Sequence, residues 1–317
     1  MIPMNSLSGI HHVTAIAGDP QRNLEFYTGV LGLRLVKVTV NHDDPYTHHL
    51  YFGDEKGRPG TILTFFTWAG AHRGQRGTGQ ATAVSFSVPE RSLGYWAYRL
   101  ETAGIQVDGP FGRFEEEVIV FTDPDGLPIE LAARPGEGGD GAGIAGPVPA
   151  PFAIRGLHGV TLFVEGHERT AGLLTEKFGY RQTGERGDRF RYVAADGGNG
   201  SFVDVISVPF EIDGRISVGS VHHVAFRAPG PAEQEALRET LTGSGFDVTP
   251  VIDRVYFRSI YFHEPGGVMF EIATDGPGFA VDEPEERLGS RLVLPKWLEA
   301  ERLSLEKVLP PVLLPQP

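Results

Sequence analysis

Short stretches in which apolar and polar residues alternate recur along the chain, and each precedes a segment with apolar residues three or four positions apart. Alternation over about four to eight residues predicts a half-buried β-strand, whereas the wider spacing predicts an amphipathic helix. The strand-like openings are GIHHVTAIAG from Gly9, ATAVSFSVPE from Ala81, GLHGVTLFVEG from Gly156 and SVHHVAFRAPG from Ser220. Each helix-like segment ends at glycine, a common helix stop. The pattern therefore predicts a strand followed by a helix in four successive units.

Each unit closes with further short strands, and a glycine turn precedes the last of them. The closing stretches are RPGTILTFF, DPDGLPIEL, GNGSFVDVI and EPGGVMFEI. The repeating unit is therefore β-α-β-β-β and recurs roughly every 65 to 75 residues. Because a single unit leaves its curved sheet half buried, the units are expected to pair in order to close a core.

Glycine and proline concentrate in residues 135–151, where no apolar periodicity is visible. This composition is typical of a linker. We therefore predict one domain of two units over residues 1–134, the linker, and a second domain of two units over residues 152–275. Residues 276–317 are predicted to form an arm and a helix from about Pro295 to Val308. A helix this short needs docking to be stable, so it is expected to cover a sheet or a neighbouring subunit.

Composition narrows the class of protein. With 40% hydrophobic and 22% charged residues, the 317-residue chain is neither disordered nor fibrous. It contains no apolar run long enough for a transmembrane helix and no recognisable secretion signal, so we expect a cytoplasmic protein. A net charge of −13 without a Lys/Arg cluster makes nucleic acid and anionic membranes poor partners. The absence of cysteine excludes disulfides, thiolate metal sites and cysteine nucleophiles.

The βαβββ repeat resembles the vicinal-oxygen-chelate superfamily, which includes glyoxalases, bleomycin and fosfomycin resistance proteins, and extradiol ring-cleaving dioxygenases. The resemblance covers residues 8–275, and four units rather than two resemble the dioxygenase branch. It implies an α+β fold in which four βαβββ modules form two paired, open β-barrel-like domains with the helices outside. It also implies a divalent metal held by residues from the first and last strands of the modules.

Aligning the four units on one another identifies the residues at these strand positions. The first-strand positions hold, in chain order, His12, Ala83, Gly159 and His223. The last-strand positions hold Thr64, Glu130, Asp204 and Glu271. Pairing units one and four gives two histidines and a glutamate, whereas pairing units two and three gives no histidine. The sequence therefore predicts a metal site of His12, His223 and Glu271, with the two ends of the chain brought together across the linker, and a degenerate copy elsewhere.

Two imidazoles and one carboxylate match the facial triad of non-haem Fe(II) oxygenases, and Mn(II) suits the same ligands. Three ligands on one face leave positions for a chelating diol and dioxygen. Neutral imidazoles and one carboxylate leave Fe(II) a net formal charge of about +1. Glyoxalase-type sites usually have a fourth protein ligand, and the residue at that position here, Thr64, is a poor ligand. This difference favours oxygen chemistry over isomerisation.

The stretches IHHVT, VHHVAF, DRVYFRSIYF and PGGVMFEIATD resemble the hydroquinone-type branch of the ring-cleaving dioxygenases. By matching positions, the resemblance implies the further active-site residues His11, Thr14, His222, Arg254 and Tyr261. Tyr261 and a histidine are suited to moving a phenolic proton, and Arg254 to holding a phenolate. Strand alternation, however, predicts that His11 and His222 face away from the ligands, which leaves a structural role open for both.

Lone histidines on strands are more often packed or exposed than functional. We therefore expect no role in the site for the following residues: His42, His48, His49, His72, His158, His167 and His263. Glu130 is interpreted in the same way, as a relic of the repeat that is exposed or hydrogen-bonded.

The sequence thus predicts an Fe(II)-dependent, extradiol-type ring-cleaving dioxygenase whose partners are a hydroquinone or substituted catechol and O2. One alternative is a metal-dependent glyoxalase-type isomerase or lyase that needs no O2. A second alternative is a protein that binds and sequesters an aromatic compound. An anaerobic assay separates the first two, and metal content separates either from the third. The substitution pattern of the substrate and a homo-oligomeric state are left open.

Overall fold

The computed structural model describes residues 7–134, 146–194, 197–198, 200–209 and 212–315. The first eleven residues of the predicted linker, 135–145, lie outside these ranges. All four predicted units are present. Within the described ranges, no helix combines the length and the hydrophobicity that a membrane span requires.

The elements of each unit follow the predicted order. Unit one contains β1 (Ile10–Ala17), α1 (Pro20–Glu25), β2 (Arg34–Asn41), β3 (Asp44–Gly53) and β4 (Ile62–Thr67). Unit two contains β5 (Gln80–Val88), α2 (Leu93–Thr102), β6 (Asp108–Arg113), β7 (Glu116–Thr122) and β8 (Pro128–Ala133). Unit three contains β9 (Gly156–Val164), α3 (Glu168–Gly172), β10 (Arg181–Arg186), β11 (Arg189–Val193) and β12 (Phe202–Ser207). Unit four contains β13 (Val221–Ala228), α4 (Pro231–Gly243), β14 (Ile252–Asp253), β15 (Arg258–His263) and β16 (Met269–Thr274).

Local sequence signals explain how the helices begin. The Asp19 carboxylate accepts a hydrogen bond from the Arg22 backbone N–H at 2.8 Å and so caps α1, and Pro20 occupies its first turn. Pro231 has the same place in α4. The helices pack against the sheets through buried apolar side chains such as Leu237 and Leu241. Helix α1 continues as a π-helical turn over Phe26–Val30, and α3 over Leu173–Lys177.

The strands form two curled eight-stranded sheets. The first has the order β14-β15-β16-β13-β1-β4-β3-β2, and the second has the order β10-β11-β12-β9-β5-β8-β7-β6. The first sheet therefore combines units four and one, and the second combines units three and two. This confirms the predicted pairing and the α+β fold of four βαβββ units. Each sheet takes one unit from before the predicted linker and one from after it.

The strand register confirms the alignment of the units. The parallel pairs join Thr14 to Thr64, Ser85 to Glu130, Thr161 to Asp204 and Ala225 to Glu271. In each unit, the last-strand residue lies beside the residue two positions after the aligned first-strand residue. The positions compared in sequence are thus equivalent in space.

The C-terminal segment docks on the edge of the first sheet. Lys296–Glu301 is a 3-10 helix and Arg302–Val308 is an α-helix, α5, so the predicted helix is present in two forms. The Val293 backbone N–H donates to the Val38 carbonyl of the edge strand β2 at 2.9 Å. Leu298 and Leu305 are buried against Val40 of the same strand. The segment therefore covers a sheet edge of its own chain, as such a short helix requires.

Candidate metal centre

Three side chains converge between the central strands of the first sheet. His12 lies on β1, His223 on β13 and Glu271 on β16, and all three are buried. The Glu271 Oε2 atom lies 3.3 Å from His12 Nε2 and 2.8 Å from His223 Nε2. The predicted proximity of these residues is confirmed. Among the described residues, they form the one group of histidine, aspartate or glutamate side chains with metal-binding spacing.

The donor atoms of this group fit a divalent cation. The 2.8 Å contact between His223 Nε2 and Glu271 Oε2 lacks the alignment of a hydrogen bond, so both are buried polar atoms without a hydrogen-bonding partner. Such atoms are costly unless something satisfies them. Burial lowers the pKa of His223. Burial alone would raise the pKa of Glu271, but His12 and His223 hold that pKa well below its usual value. Two imidazoles and one carboxylate are the donor set of an Fe(II) or Mn(II) site.

A second imidazole adjoins each histidine of the group. His11 Nδ1 lies 2.9 Å from His12 Nδ1, and His222 Nδ1 lies 2.8 Å from His223 Nδ1. Burial lowers the pKa of His11 well below its usual value and the pKa of His222 to about 3, so both rings are neutral. A neutral ring can accept the Nδ1 proton of its neighbour. That contact leaves Nε2 of His12 and of His223 free to bind a metal.

Two β-bulges explain why these imidazole pairs form. The antiparallel register of β1 and β13 skips His11 on one strand and His222 on the other. An extra residue in a strand interrupts the alternation of side chains. The prediction that alternation turns His222 away from the site is therefore wrong, because His222 lines the cavity. His11 is not among the lining residues, but its ring contacts those of His12 and Phe257, each at 5.1 Å between centroids.

A cavity of about 400 Å³ opens in front of the three converging side chains. Its apolar lining includes Phe66, Trp68 and Phe257, which suits a small aromatic ring. The polar lining includes four of the five further residues implied by the resemblance: Thr14, His222, Arg254 and Tyr261. The structure thus gathers residues from units one and four around one space.

Arg254 and Tyr261 form a polar wall of this cavity. The Arg254 Nε–H donates to the Tyr261 hydroxyl oxygen at 3.2 Å, and Arg254 Nη2 lies 2.9 Å from Asp43 Oδ2. Burial and the Glu271 charge raise the pKa of Tyr261 above its ordinary value. Tyr261 therefore keeps its proton at neutral pH. Its oxygen accepts from Arg254, and Ser259 is its second side-chain partner, so Ser259 and a ligand are the possible acceptors of that proton.

Sequence reasoning missed three further residues that line the cavity. His42 and His49 line the cavity, although both were expected to be packed or exposed, and Tyr51 lines it too. Tyr51 lies beside Thr64 in the register of β3 and β4, as Tyr261 lies beside Glu271 in β15 and β16. Extending the alignment of the units to the third strand finds this tyrosine pair. The histidines themselves carry no comparable signal.

Arginines satisfy the equivalent carboxylates of the second sheet. The Arg113 Nη1 and Nη2 groups donate to Glu130 Oε2 and Oε1 at 2.6 and 2.8 Å. The Arg191 Nε and Nη2 groups donate to Asp204 at 2.7 and 2.9 Å, and Arg189 Nη1 donates to Asp204 at 2.8 Å. Built-in cations thus pair with the carboxylates at these positions, where Ala83 and Gly159 supply no donor side chain. The interpretation of Glu130 as a hydrogen-bonded relic agrees with this arrangement.

The contrast between the sheets predicts the metal stoichiometry. We expect protein loaded anaerobically with Fe(II) and freed of excess metal to retain about one iron per chain, since buried ion pairs with arginine resist disruption. Elemental analysis after gel filtration measures the ratio. A second equivalent that survives a chelator wash would contradict this expectation.

Comparisons with known proteins agree with this geometry. The sequence profile of the glyoxalase/bleomycin resistance protein/dioxygenase superfamily matches residues 9–131 and 156–272. The chain belongs to this superfamily. A Bacillus subtilis (strain 168) protein named "Putative ring-cleaving dioxygenase MhqO" is 46% identical over 303 residues, which are 96% of each chain. The chlorohydroquinone/hydroquinone 1,2-dioxygenase of Sphingobium indicum is 33% identical over 309 residues, also 96% of each chain.

A solved structure extends the likeness to three dimensions. The crystal structure of a "putative dioxygenase" from Bacillus subtilis subsp. subtilis strain 168 is 44% identical, with a TM-score of 0.94. The alignment covers 99% of this chain and 100% of that chain. The resemblance drawn from the sequence motifs, to the superfamily and to its ring-cleaving dioxygenases, is confirmed.

Proposed function

We propose that the protein is an Fe(II)-dependent, extradiol-type ring-cleaving dioxygenase that inserts O2 into a hydroquinone or a substituted catechol. The observation that carries this proposal is the buried set of two imidazoles and one carboxylate at an aromatic-lined cavity of about 400 Å³. The named activities of the relatives support oxygen chemistry on an aromatic diol. The hydroquinone named for the Sphingobium enzyme makes a para-diol the first substrate to test.

The residues that line the cavity would have different roles around the metal. His12, His223 and Glu271 would hold Fe(II), which when bound supplies the coordination of diol and dioxygen and the electron needed to activate oxygen. Tyr261 holds a proton that it can donate to a substrate oxygen or exchange with it as the substrate ionises. Arg254 lies beside that hydroxyl and compensates negative charge on the substrate. Phe66 and Trp68 keep the ring in apolar surroundings and exclude water.

The position of Thr64 speaks against the glyoxalase-type alternative. The Thr64 hydroxyl lies 2.6 Å from His49 Nε2 and 3.2 Å from Thr14 Oγ1. Both contacts engage it in hydrogen bonding, so it does not supply a fourth ligand. Three protein ligands leave room for two substrates at the metal. The sequestration alternative gives no reason for a buried donor set of this kind.

Oxygen consumption tests the proposal. We expect anaerobically iron-loaded protein to take up O2 with at least one member of a panel of hydroquinones and catechols, about one O2 per ring opened. An oxygen electrode gives the uptake, and mass spectrometry with ¹⁸O2 shows whether both atoms enter the product. Metal-free protein is the control. Conversion of the diol under strict anaerobiosis would contradict the proposal and favour an isomerase.

A further inference from the structure

Two tyrosines face the cavity from equivalent places in units one and four. Tyr51 lies on β3 beside Thr64, and Tyr261 lies on β15 beside Glu271. Both line the cavity. The two units thus present a phenol group each to the same ligand, from the two halves of one sheet.

The hydroxyl of Tyr261 is polarised as a donor. Its oxygen accepts from the Arg254 Nε–H at 3.2 Å. An arginine has no lone pair to accept a proton in return. The hydroxyl proton of Tyr261 therefore points either to Ser259, the other side chain that hydrogen-bonds this hydroxyl, or to a ligand in the cavity.

The hydroxyl of Tyr51 is polarised in the opposite sense. Thr64 donates its proton to Thr14 Oγ1 at 3.2 Å, so the 2.6 Å contact between His49 Nε2 and Thr64 Oγ1 needs a proton on Nε2. Burial lowers the pKa of His49 well below its usual value, so this ring is neutral and Nδ1 carries no proton. The Tyr51 hydroxyl, 2.8 Å from Nδ1, must then donate to it. The Tyr51 hydroxyl proton is thus already donated to His49, and only the lone pairs of the Tyr51 oxygen remain to interact with a ligand in the cavity.

We propose that Tyr51, oriented by His49, accepts a hydrogen bond from the second hydroxyl of an aromatic diol and so selects ligands in which that hydroxyl keeps its proton. Tyr261 donates to the other oxygen, on the side of Glu271. The cavity then distinguishes the two ends of the diol by the direction of a hydrogen bond. This inference rests on the proposed function only in taking an aromatic diol as the ligand.

Anaerobic calorimetric titration of the iron-loaded protein with hydroquinone and with phenol tests the inference. Phenol lacks the second hydroxyl and adds no bulk. We expect wild type to bind hydroquinone more tightly than phenol, and Tyr51→Phe to lose about tenfold in affinity for hydroquinone and almost nothing for phenol, as the loss of one hydrogen bond predicts. An unchanged preference in Tyr51→Phe would overturn the proposal.

Tyr256→Phe is the matched control. Tyr256 packs against the Tyr51 ring at 6.1 Å between centroids, but its hydroxyl donates to Asp282 Oδ2 at 3.1 Å and it is not among the residues that line the cavity. The same substitution there should leave both affinities at wild-type values. Equal losses in the two variants would indicate a packing effect and overturn the proposal.

His49→Phe removes the acceptor of the Tyr51 hydroxyl proton. Without Nδ1 to accept it, the Tyr51 proton becomes available to the cavity. We expect wild type to discriminate against 4-methoxyphenol, whose ether oxygen accepts but cannot donate, and His49→Phe to lose this discrimination. Circular dichroism and iron content establish that the variant is folded. Retained discrimination in folded His49→Phe would contradict the role of His49.

Oxygen uptake keeps the two proposals distinguishable. If hydroquinone is cleaved but its preference over phenol does not depend on Tyr51, the inference fails and the proposed function stands. If no diol supports O2 uptake but the Tyr51-dependent preference is measured, the proposed function fails and the binding inference stands. If the iron-loaded protein binds neither hydroquinone nor phenol, the inference is overturned as well.

Discussion

Glu271→Gln is expected to remove iron retention and O2 uptake together. The amide keeps the shape of the side chain but is neutral and a weaker donor, so two imidazoles would face a doubly charged ion without compensation. We expect iron affinity to fall by more than about 100-fold, beyond the effect typical of residues that merely support a ligand. Iron per chain after gel filtration and O2 uptake with the best diol of the panel measure the two effects. Full iron and full activity in this variant would refute the ligand assignment.

Glu130→Gln is the control for Glu271→Gln. Glu130 has the equivalent position in the second sheet, where Arg113 holds it through two hydrogen bonds of 2.6 and 2.8 Å. The substitution leaves a mostly buried guanidinium without its counter-charge, which costs on the order of 3–5 kcal/mol when a buried pair is broken. We therefore expect a lower Tm with iron content unchanged. One substitution thus affects the metal, and the other affects the free energy of unfolding.

Tyr261→Phe is expected to leave iron bound while turnover falls by on the order of 100-fold, the effect typical of a lost general acid–base group. The variant removes one hydroxyl from the cavity wall and leaves His12, His223 and Glu271 in place. Iron stoichiometry and O2 uptake separate the two roles. Wild-type turnover in Tyr261→Phe would remove Tyr261 from the chemistry but leave the ligand assignment standing. A loss of iron would show that the hydroxyl supports the metal site instead.

The four-fold repeat explains why much of this site can be predicted from the sequence. Four similar units permit an internal alignment, and only the positions of His12, His223 and Glu271 combine into a plausible ligand set. The strand register then places the aligned residues at equivalent points. Fold and ligands are therefore predictable together, because the same positions define both.

The remaining features depend on contacts that no local pattern records. Two adjacent histidines do not reveal that one of them is an extra residue in the strand. The β-bulges at His11 and His222 therefore could not be predicted from strict alternation of side chains. A single strand histidine such as His49 has no distinguishing spacing. Its place follows only from the pairing of β3 with β4 and from the hydroxyl of Thr64. Likewise, no sequence pattern links Arg113 to Glu130, and their pairing is visible only in the structure.

The central ladder between β1 and β13 sets an order of events during synthesis. Thr14 and His223 are paired neighbours, yet more than 200 positions separate them. At about 5–20 residues per second, a ribosome takes on the order of 10–40 seconds to make the intervening chain. Units two and three lie between them and can complete their own sheet first, through β5 and β9. A nascent chain that lacks unit four has only His12 of the three converging side chains. The complete set of metal-binding side chains is therefore assembled only once nearly the whole protein has been made.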